Sequence, residues 1–543
     1  MRSFTTFKGD PPVWVKFLTD RASVISLVSL IAAIGYGLFA ITPDATENTR
    51  ISENALLPGV VDENFDQRER ISSFSKEIRL QFKEGNVKEY IKSKLHSFGV
   101  ETYSQNFQFN RDRFRNETGS NVYGIVRAYR SPPVEAILVV VPVKESHIDS
   151  IALGMALQTY CREQVYWARD IIFLFAEHAE IGLEAWLAAY HGSRHSFVSA
   201  DALEAHGGAI IGATVLDVVG SRFVNLNIQF NMINGKLPNL DLFNLYVRLA
   251  EKFQLRACIY GLCRQHSYTS VLNAVVRGVF TQAFYEVEGL HSVFGGYGIN
   301  AVSLQAHERK KTSENGTPLW RIGQIVEGGL RSMNNILEKF HQSYFLYILA
   351  TPRKFISVAY YMPIVGLVAA PMLLFGLREW FNVRNLEIPS AAFLSAHMLA
   401  VLIYLVGTIK WPAILEANMQ QEIATNRGLQ TILAIILQLP ILALFKINSP
   451  SSWVITKFFL YLEAALFIGA LSLINFSLAL VLGICIVPAV LFFTIAFPNR
   501  MIFKFIDYRM QHENVETKEA AHHIFPPIDI RLPLPLDLPS SLF

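Results

Sequence analysis

The chain has 543 residues, of which 51% are hydrophobic and only 17% charged, with a mean hydropathy of +0.29 and a formal net charge of +3. A soluble chain of this size carries about a quarter charged residues. An ordinary soluble protein is therefore excluded, and the lack of a basic stripe with interleaved aromatics sets nucleic acid aside as a partner.

The apolar excess is concentrated in residues 22–42 and 354–499. Residues 1–21 read as a cytosolic segment. Residues 22–41 carry no charge, and a run of that length matches the hydrocarbon thickness of a bilayer. The competing account is a cleaved signal peptide, but the run is long and follows a polar head of 20 residues. Arg2, Lys8, Lys16 and Arg21 precede the span, and Asp44, Glu47 and Glu53 follow it. Positive charge stays inside, so residues 43–352 are expected on the lumenal or extracellular side. The sequons at Asn116 and Asn315 accept glycans only on that side.

Residues 43–352 have globular composition and can bury a core of their own, as one large domain or two small ones. A helix is predicted over 66–98, then strand-like alternation at 102–109 and 121–129. Three continuous apolar runs follow, VEAILVVVP (134–142), DIIFLFAEH (170–178) and GGAIIGATVLDVVG (207–220), as expected of strands buried on both faces. Helical patterns at 149–168 and 181–191 separate them, which implies βαβ crossovers and a mostly parallel sheet. A helix at 239–255, a glycine-rich turn at Gly295–Gly298, a strand at 299–304 and a long helix at 319–342 complete the domain. Cys161, Cys258 and Cys263 lie in it. One bridge among them fits an oxidising compartment, and the spacing leaves the pairing open.

The second apolar block, 353–499, divides into about five or more spans, near 356–377, 388–409, 428–446, 453–474 and 477–498. Six spans in all return the tail, 500–543, to the cytosol, and Arg500, Lys504 and Arg509 agree with that side. The Pro-Leu-rich end, 525–543, is expected to be extended.

The chemical candidates sit at strand ends, where ligands bind in such sheets. Glu177 and His178 end one strand, Asp217 another, and His147 and Asp149 lie just past a third. Converging carboxylates and imidazoles can hold zinc, with a free carboxylate such as Glu177 as general base. The plainer account is polar residues capping strands. In the spans, Glu463 lies mid-helix, where an ionised group costs at least ~2–3 kcal/mol and needs a partner or a cavity. His397 and Pro488 also interrupt apolar runs, and Pro488 frees a backbone carbonyl. Cys485 reads as a small apolar packer.

The segments ISENALLPG (51–59), RDIIFLFAEHAEIGLEAWLAAYH (169–191), NGKLPNLDLFN (234–244), HQSYFLYI (341–348) and YMPIVG (361–366) resemble the GPI-anchor attachment protein family, a subunit of the GPI transamidase. The resemblance implies a multi-pass protein of the endoplasmic reticulum membrane with one N-terminal span, a lumenal aminopeptidase-like α/β domain and a C-terminal bundle of spans. It implies partners that include a cysteine-protease-like catalytic subunit. It also implies that this chain binds and presents the GPI lipid without being catalytic itself, with Pro488 matching a proline linked to lipid recognition and Glu463 and His397 as further lipid candidates. Zinc aminopeptidases resemble the domain only partly. Asp217 fits their later Asp, Glu177 their first Glu and Asp149 their bridging Asp. His178 stands at the second Glu position, Pro142 and Val143 where the first His belongs, and His307 near the late His. No cofactor is expected. The alternatives are a zinc-dependent peptidase or amide-forming activity, with a single metal on Asp149, His178 and His307, and a pure scaffold.

Overall fold

The computed structural model describes residues 12–60, 63–112, 115–130, 132, 134–193, 198–263, 267–284, 289–308, 316–336, 339–383 and 450–496, with isolated positions at 394, 397, 398 and 401. The expected spans 388–409 and 428–446 (those isolated positions aside), the sequon at Asn315 and the charged and Pro-Leu-rich tail lie outside the described residues.

In chain order, a short helix α1 (Val13–Asp20) precedes α2 (Ala22–Ala40) and a two-residue strand β1 (Glu47–Asn48). Next come α3 (Arg68–Glu84), α4 (Val87–Ser97), β2 (Glu101–Asp112), β3 (Arg115–Val126) and β4 (Glu135–Pro142). The single helix expected over 66–98 is thus two. Gly85, at φ +76°, takes the left-handed conformation that ends α3, its amide donating to the Gln81 carbonyl. The βαβ core follows as α5 (Ile148–Glu163), β5 (Asp170–Ala176), α6 (Glu180–Tyr190), β6 (Val198–Ala200) and β7 (Ala209–Val219). Then come β8 (Arg222–Phe223), β9 (Asn225–Gln229), α7 (Leu240–Lys252), β10 (Arg256–Cys258), α8 (Tyr268–Phe284), β11 (Asn300–His307), β12 (Thr317–Pro318) and α9 (Leu319–Asn334). The chain continues through β13 (Tyr347–Thr351), β14 (Lys354–Ser357) and α10 (Val358–Asn382), and later α11 (Pro450–Ile474) and α12 (Phe476–Ala496).

One nine-stranded sheet organises the large domain, in the order β10-β9-β11-β7-β4-β5-β3-β2-β6. It is mixed rather than mostly parallel. The centre β11-β7-β4-β5 is parallel, as the crossover helices require. On one side β9 turns back tightly from β7 and runs antiparallel to β11, and on the other the β2–β3 hairpin and β6 add antiparallel pairs. The central strands read as continuous apolar runs because both faces are covered. Ile137, Val139 and Val141 pack with α5, α7 and α9 on one face, and Leu138 and Val140 pack with Leu183, Trp186 and Leu187 of α6 on the other.

The long helix expected over 319–342 stops at Asn334, and the buried run Tyr347–Thr351 further on forms a strand. That strand, β13, pairs with β14, and β14 pairs with β1, so one small sheet ties the exit of α2 to the start of α10. Among the described residues, Ala22–Ala40, Val358–Asn382 and Val454–Ile474 are long and apolar enough to cross a membrane, and Phe476–Leu491 is a shorter apolar stretch. They share a core built from Ala33 of α2, Val365 and Met372 of α10, Ile468 of α11 and Val487 of α12. Cys258 and Cys263 form the disulfide, and Cys161 is a buried thiol.

Candidate functional site

Asp217 is the hub of a cluster at the carboxyl ends of β7 and β11. Its Oδ1 accepts from His147 Nε2 at 2.9 Å and His307 Nε2 at 3.1 Å, and its Oδ2 from Gln305 Nε2 at 2.9 Å. In-register pairing of β7 with β11 sets Asp217 beside Gln305, and a 3-10 turn after β4 (Glu145–His147) brings His147 over them. Burial pushes the Asp217 carboxyl up, but the three hydrogen bonds outweigh it and hold it at about 2. A row of amides continues from this hub. Asn227 Nδ2 donates to Gln305 Oε1 at 2.9 Å, and Asn227 Oδ1 accepts from the Gly261 amide at 3.1 Å. A hydrogen-bonded ladder thus crosses β7, β11 and β9. The sequence reading found Asp217, His147 and His307 but missed Gln305 and Asn227. The one-residue alternation of NLNIQ, whose burial alternates in step, was the available signal.

The other strand-end candidates are engaged elsewhere. Glu177 takes Lys88 Nζ on its two oxygens at 2.9 and 3.1 Å, and also the Ser120 amide at 2.6 Å. It is an ion-paired carboxylate. His178 and Ala179 have φ near +50°, in the tight turn that carries β5 into α6. The His178 ring lies 5.1 Å from the Phe109 ring and 6.3 Å from that of Phe107. Asp149 Oδ2 accepts from the Gly220 amide at 3.1 Å, and Ser75 Oγ is 3.5 Å from Oδ1. Burial leads the balance that raises the Asp149 carboxyl above its ordinary range. Asp217 and His307 therefore meet, while Asp149, Glu177 and His178 have other partners. Among the described residues, no group of three or more His, Cys, Asp or Glu side chains is arranged to hold a metal ion.

In the spans, His397 Nε2 lies 3.5 Å from Glu463 Oε1, with both side chains about half exposed. Pro488 is exposed on α12, one helical turn after the exposed Ile484 whose carbonyl it frees. The sequence reading missed Glu379, fully buried near the end of α10, which takes Arg378 and Lys457 on its two oxygens at 3.1 Å each. Asn116 lies on β3, paired in register with Asn110.

The family described as Gaa1-like, GPI transamidase component, matches residues 118–525 of the chain. The chain belongs to this family. A Gaa1-like relative, the GPI transamidase component GAA1 of Saccharomyces cerevisiae, is 29% identical over 510 residues, covering 90% of this chain and 77% of that protein. The gaa1 component of Schizosaccharomyces pombe is 28% identical over 379 residues, covering 65% of this chain and 64% of its own length. Among solved structures, a putative zinc-dependent exopeptidase from Bacteroides vulgatus overlaps 50% of the chain and 97% of its own, with 11% identity and a TM-score of 0.34. The LapA aminopeptidase of Legionella pneumophila overlaps 55% of the chain and 78% of its own, with 11% identity and a TM-score of 0.33. Overlaps this loose carry no argument about chemistry.

In this Gaa1-like chain four of the five segments that carried the resemblance meet at the joint between sheet domain and spans, while residues 169–191 form β5 and α6 inside the large sheet domain. Asp241 accepts from the amides of Ser52 and Glu53, at 3.0 and 2.8 Å, and Asn244 donates to the Arg50 carbonyl at 2.9 Å. The Tyr347 hydroxyl donates to the Pro238 carbonyl, and the Leu240 amide to that of Tyr344, each at 2.9 Å. Gly235, at φ +68°, lies so close to the turn between α11 and α12 that a Cβ there would meet Asn475 at 2.6 Å. Tyr361 and Val365 belong to the core of the spans.

Proposed function

We propose that this chain is a GPI transamidase subunit of the endoplasmic reticulum membrane that binds glycosylphosphatidylinositol among its spans, presents it to a catalytic subunit and helps assemble the complex. The large domain lies in the lumen, where Asn116 and Asn315 accept glycans, and the disulfide between Cys258 and Cys263 is in keeping with that compartment. The observation that carries the reading is the pair of ionisable groups, Glu463 and His397, on the span helices of a chain of this family. Ionisable groups inside a membrane mark a ligand path or a helix contact. Acyl chains leave the bilayer only for another apolar surface, at about 0.8 kcal/mol per methylene. Holding the head-group amine beside an acyl-enzyme on another subunit supplies proximity without a nucleophile in this chain. The Lys88-bound state of Glu177 supports a non-catalytic role for the lumenal domain.

The test is transamidation of a reporter precursor by membranes carrying Glu463→Leu, His397→Leu or Pro488→Leu, with subunit association read by co-purification. Reduced anchor transfer with the complex intact supports presentation. Full transfer in all three variants contradicts it and favours a scaffold. The two imidazoles on Asp217 favour one competing reading, a zinc-dependent lumenal activity. Metal analysis of the purified complex decides. Stoichiometric zinc, with transfer lost in Asp217→Ala, overturns the non-catalytic assignment.

A further inference from the structure

A cleft of about 910 Å³ opens between α8 and β9 of the sheet. Its position is set by how α8 is held. The Tyr268 hydroxyl donates to the Leu38 carbonyl near the end of α2, at 2.8 Å. At the other end, Asn475 Nδ2 donates to the Gln282 carbonyl at 3.0 Å, and Ser477 Oγ to Gln282 Oε1 at 2.7 Å. Helix α8, about 25 Å long at 1.5 Å per residue, therefore lies across the ends of the spans. The cleft runs along the side of α8 that carries Arg277, Phe280, Thr281 and Phe284.

The chemistry of its wall is specific. Asn227, Gln229 and Asn231 line it with side-chain amides, Asn227 tied to Gln305 and Gly261, Gln229 to Gln305 and Asn231 to Tyr260, each with a further donor and acceptor that can meet vicinal hydroxyls. Phe280 and Phe284, one turn apart on α8, stack at 5.6 Å between centroids and are each about half exposed, an apolar platform for the flat face of a sugar ring. Arg277 is held at the rim by Asn273 Oδ1 and the Tyr260 carbonyl, at 3.2 and 3.3 Å, with donors remaining for a phosphate. His291 is 1% exposed. Its Nδ1 meets Ser303 Oγ at 2.9 Å, and its Nε2 has no partner of good geometry among the described residues, although the Asn231 backbone interacts with the ring. A bare water-filled surface accounts poorly for a buried imidazole, a ladder of amides and two exposed phenyl rings lining one concavity.

We propose that this cleft binds the phosphorylated glycan head group of a membrane-anchored glycolipid, with the amides on the sugar hydroxyls, the phenyl pair beneath a ring and Arg277 on a phosphate. The proposal rests on the reading that the chain presents such a lipid, and it assigns the head group to the lumenal domain while the acyl chains stay among the spans. Because the amide ladder joins Asn227 and Gln305 to Asp217, the strand-end hub becomes the rigid back wall of this site.

The test uses the full chain in nanodiscs and two soluble probes, an oligomannose carrying ethanolamine phosphate and the same oligomannose without phosphate. Calorimetry is expected to show binding of both, the phosphorylated probe more tightly. Arg277→Gln should remove the difference between them, and Phe280→Ala should weaken both at least tenfold. Both side chains are exposed, so thermal unfolding should match the parent chain. A parallel photolabelling arm uses a diazirine-acyl GPI. Failure of the sugar probes to bind, with acyl labelling of the spans retained, overturns the cleft and leaves lipid presentation standing. Loss of both arms overturns the reading beneath it. Tight binding of inorganic phosphate alone, equal to that of the phosphorylated glycan, refutes recognition of sugar.

Discussion

Replacing Asp241 with Ala should unlock the joint between the large sheet domain and the spans. Asp241 is 1% exposed, and its carboxylate takes the Ser52 amide at 3.0 Å and the Glu53 amide at 2.8 Å. Hydrogen bonds to a charged group contribute roughly 1.5–3 kcal/mol each, and buried donors left without an acceptor forfeit more than that average. Water reaches Ser52, which is only half-buried, so the net loss at the joint should be about 3 kcal/mol, near two decades of local opening. Asp241→Asn keeps one acceptor oxygen and the side-chain shape and should lose about half as much. Hydrogen exchange by mass spectrometry on the detergent-purified chain, over peptides covering residues 50–56, reads this directly. Protection there should fall about a hundredfold in the Ala variant and about tenfold in Asn, with central β4 and β5 unchanged. Unchanged protection in both variants would refute the idea that this carboxylate holds the segment.

Acid should destabilise the large sheet domain through Asp217. Its folded-state value, about 2, lies below the ordinary 3.8, so its contribution of about 2 kcal/mol is complete above pH 5 and is lost as pH falls through 2. Unfolding midpoints between pH 5 and pH 2 should fall less steeply in Asp217→Asn. Gly182→Ala should prevent stable folding or lower the thermal midpoint by many degrees, because a Cβ there would lie 2.0 Å from the Glu177 carbonyl. Under native conditions Cys161 should resist alkylation, since burial removes access and raises its thiol well above the ordinary range. Non-reducing peptide mapping should join Cys258 to Cys263.

The central sheet was legible because β4, β5 and β7 are covered on both faces and read as unbroken apolar runs. The joint was not. Residues 344–350 are aromatic and aliphatic throughout, and periodicity over so short a stretch does not separate a strand from the end of a helix. Helix α8 escaped notice because its apolar residues divide between the span core and the cleft, leaving no clean stripe. The disulfide loop and the NLNIQ strand before it are equally short. At the site, residue identity pointed to Glu177 as a base, and its ion-pair partner in the structure is Lys88, a residue 89 positions away that no spacing argument connects to it. The Glu463–His397 pair joins two helices far apart in sequence in the same manner.

Photocrosslinking of the assembled complex with a diazirine-acyl GPI probes lipid presentation most directly. The account predicts label on this chain within α10, α11 and α12, diminished in Pro488→Leu and Glu463→Leu. Label confined to the other subunits, with this chain unmodified between residues 354 and 499, would contradict it.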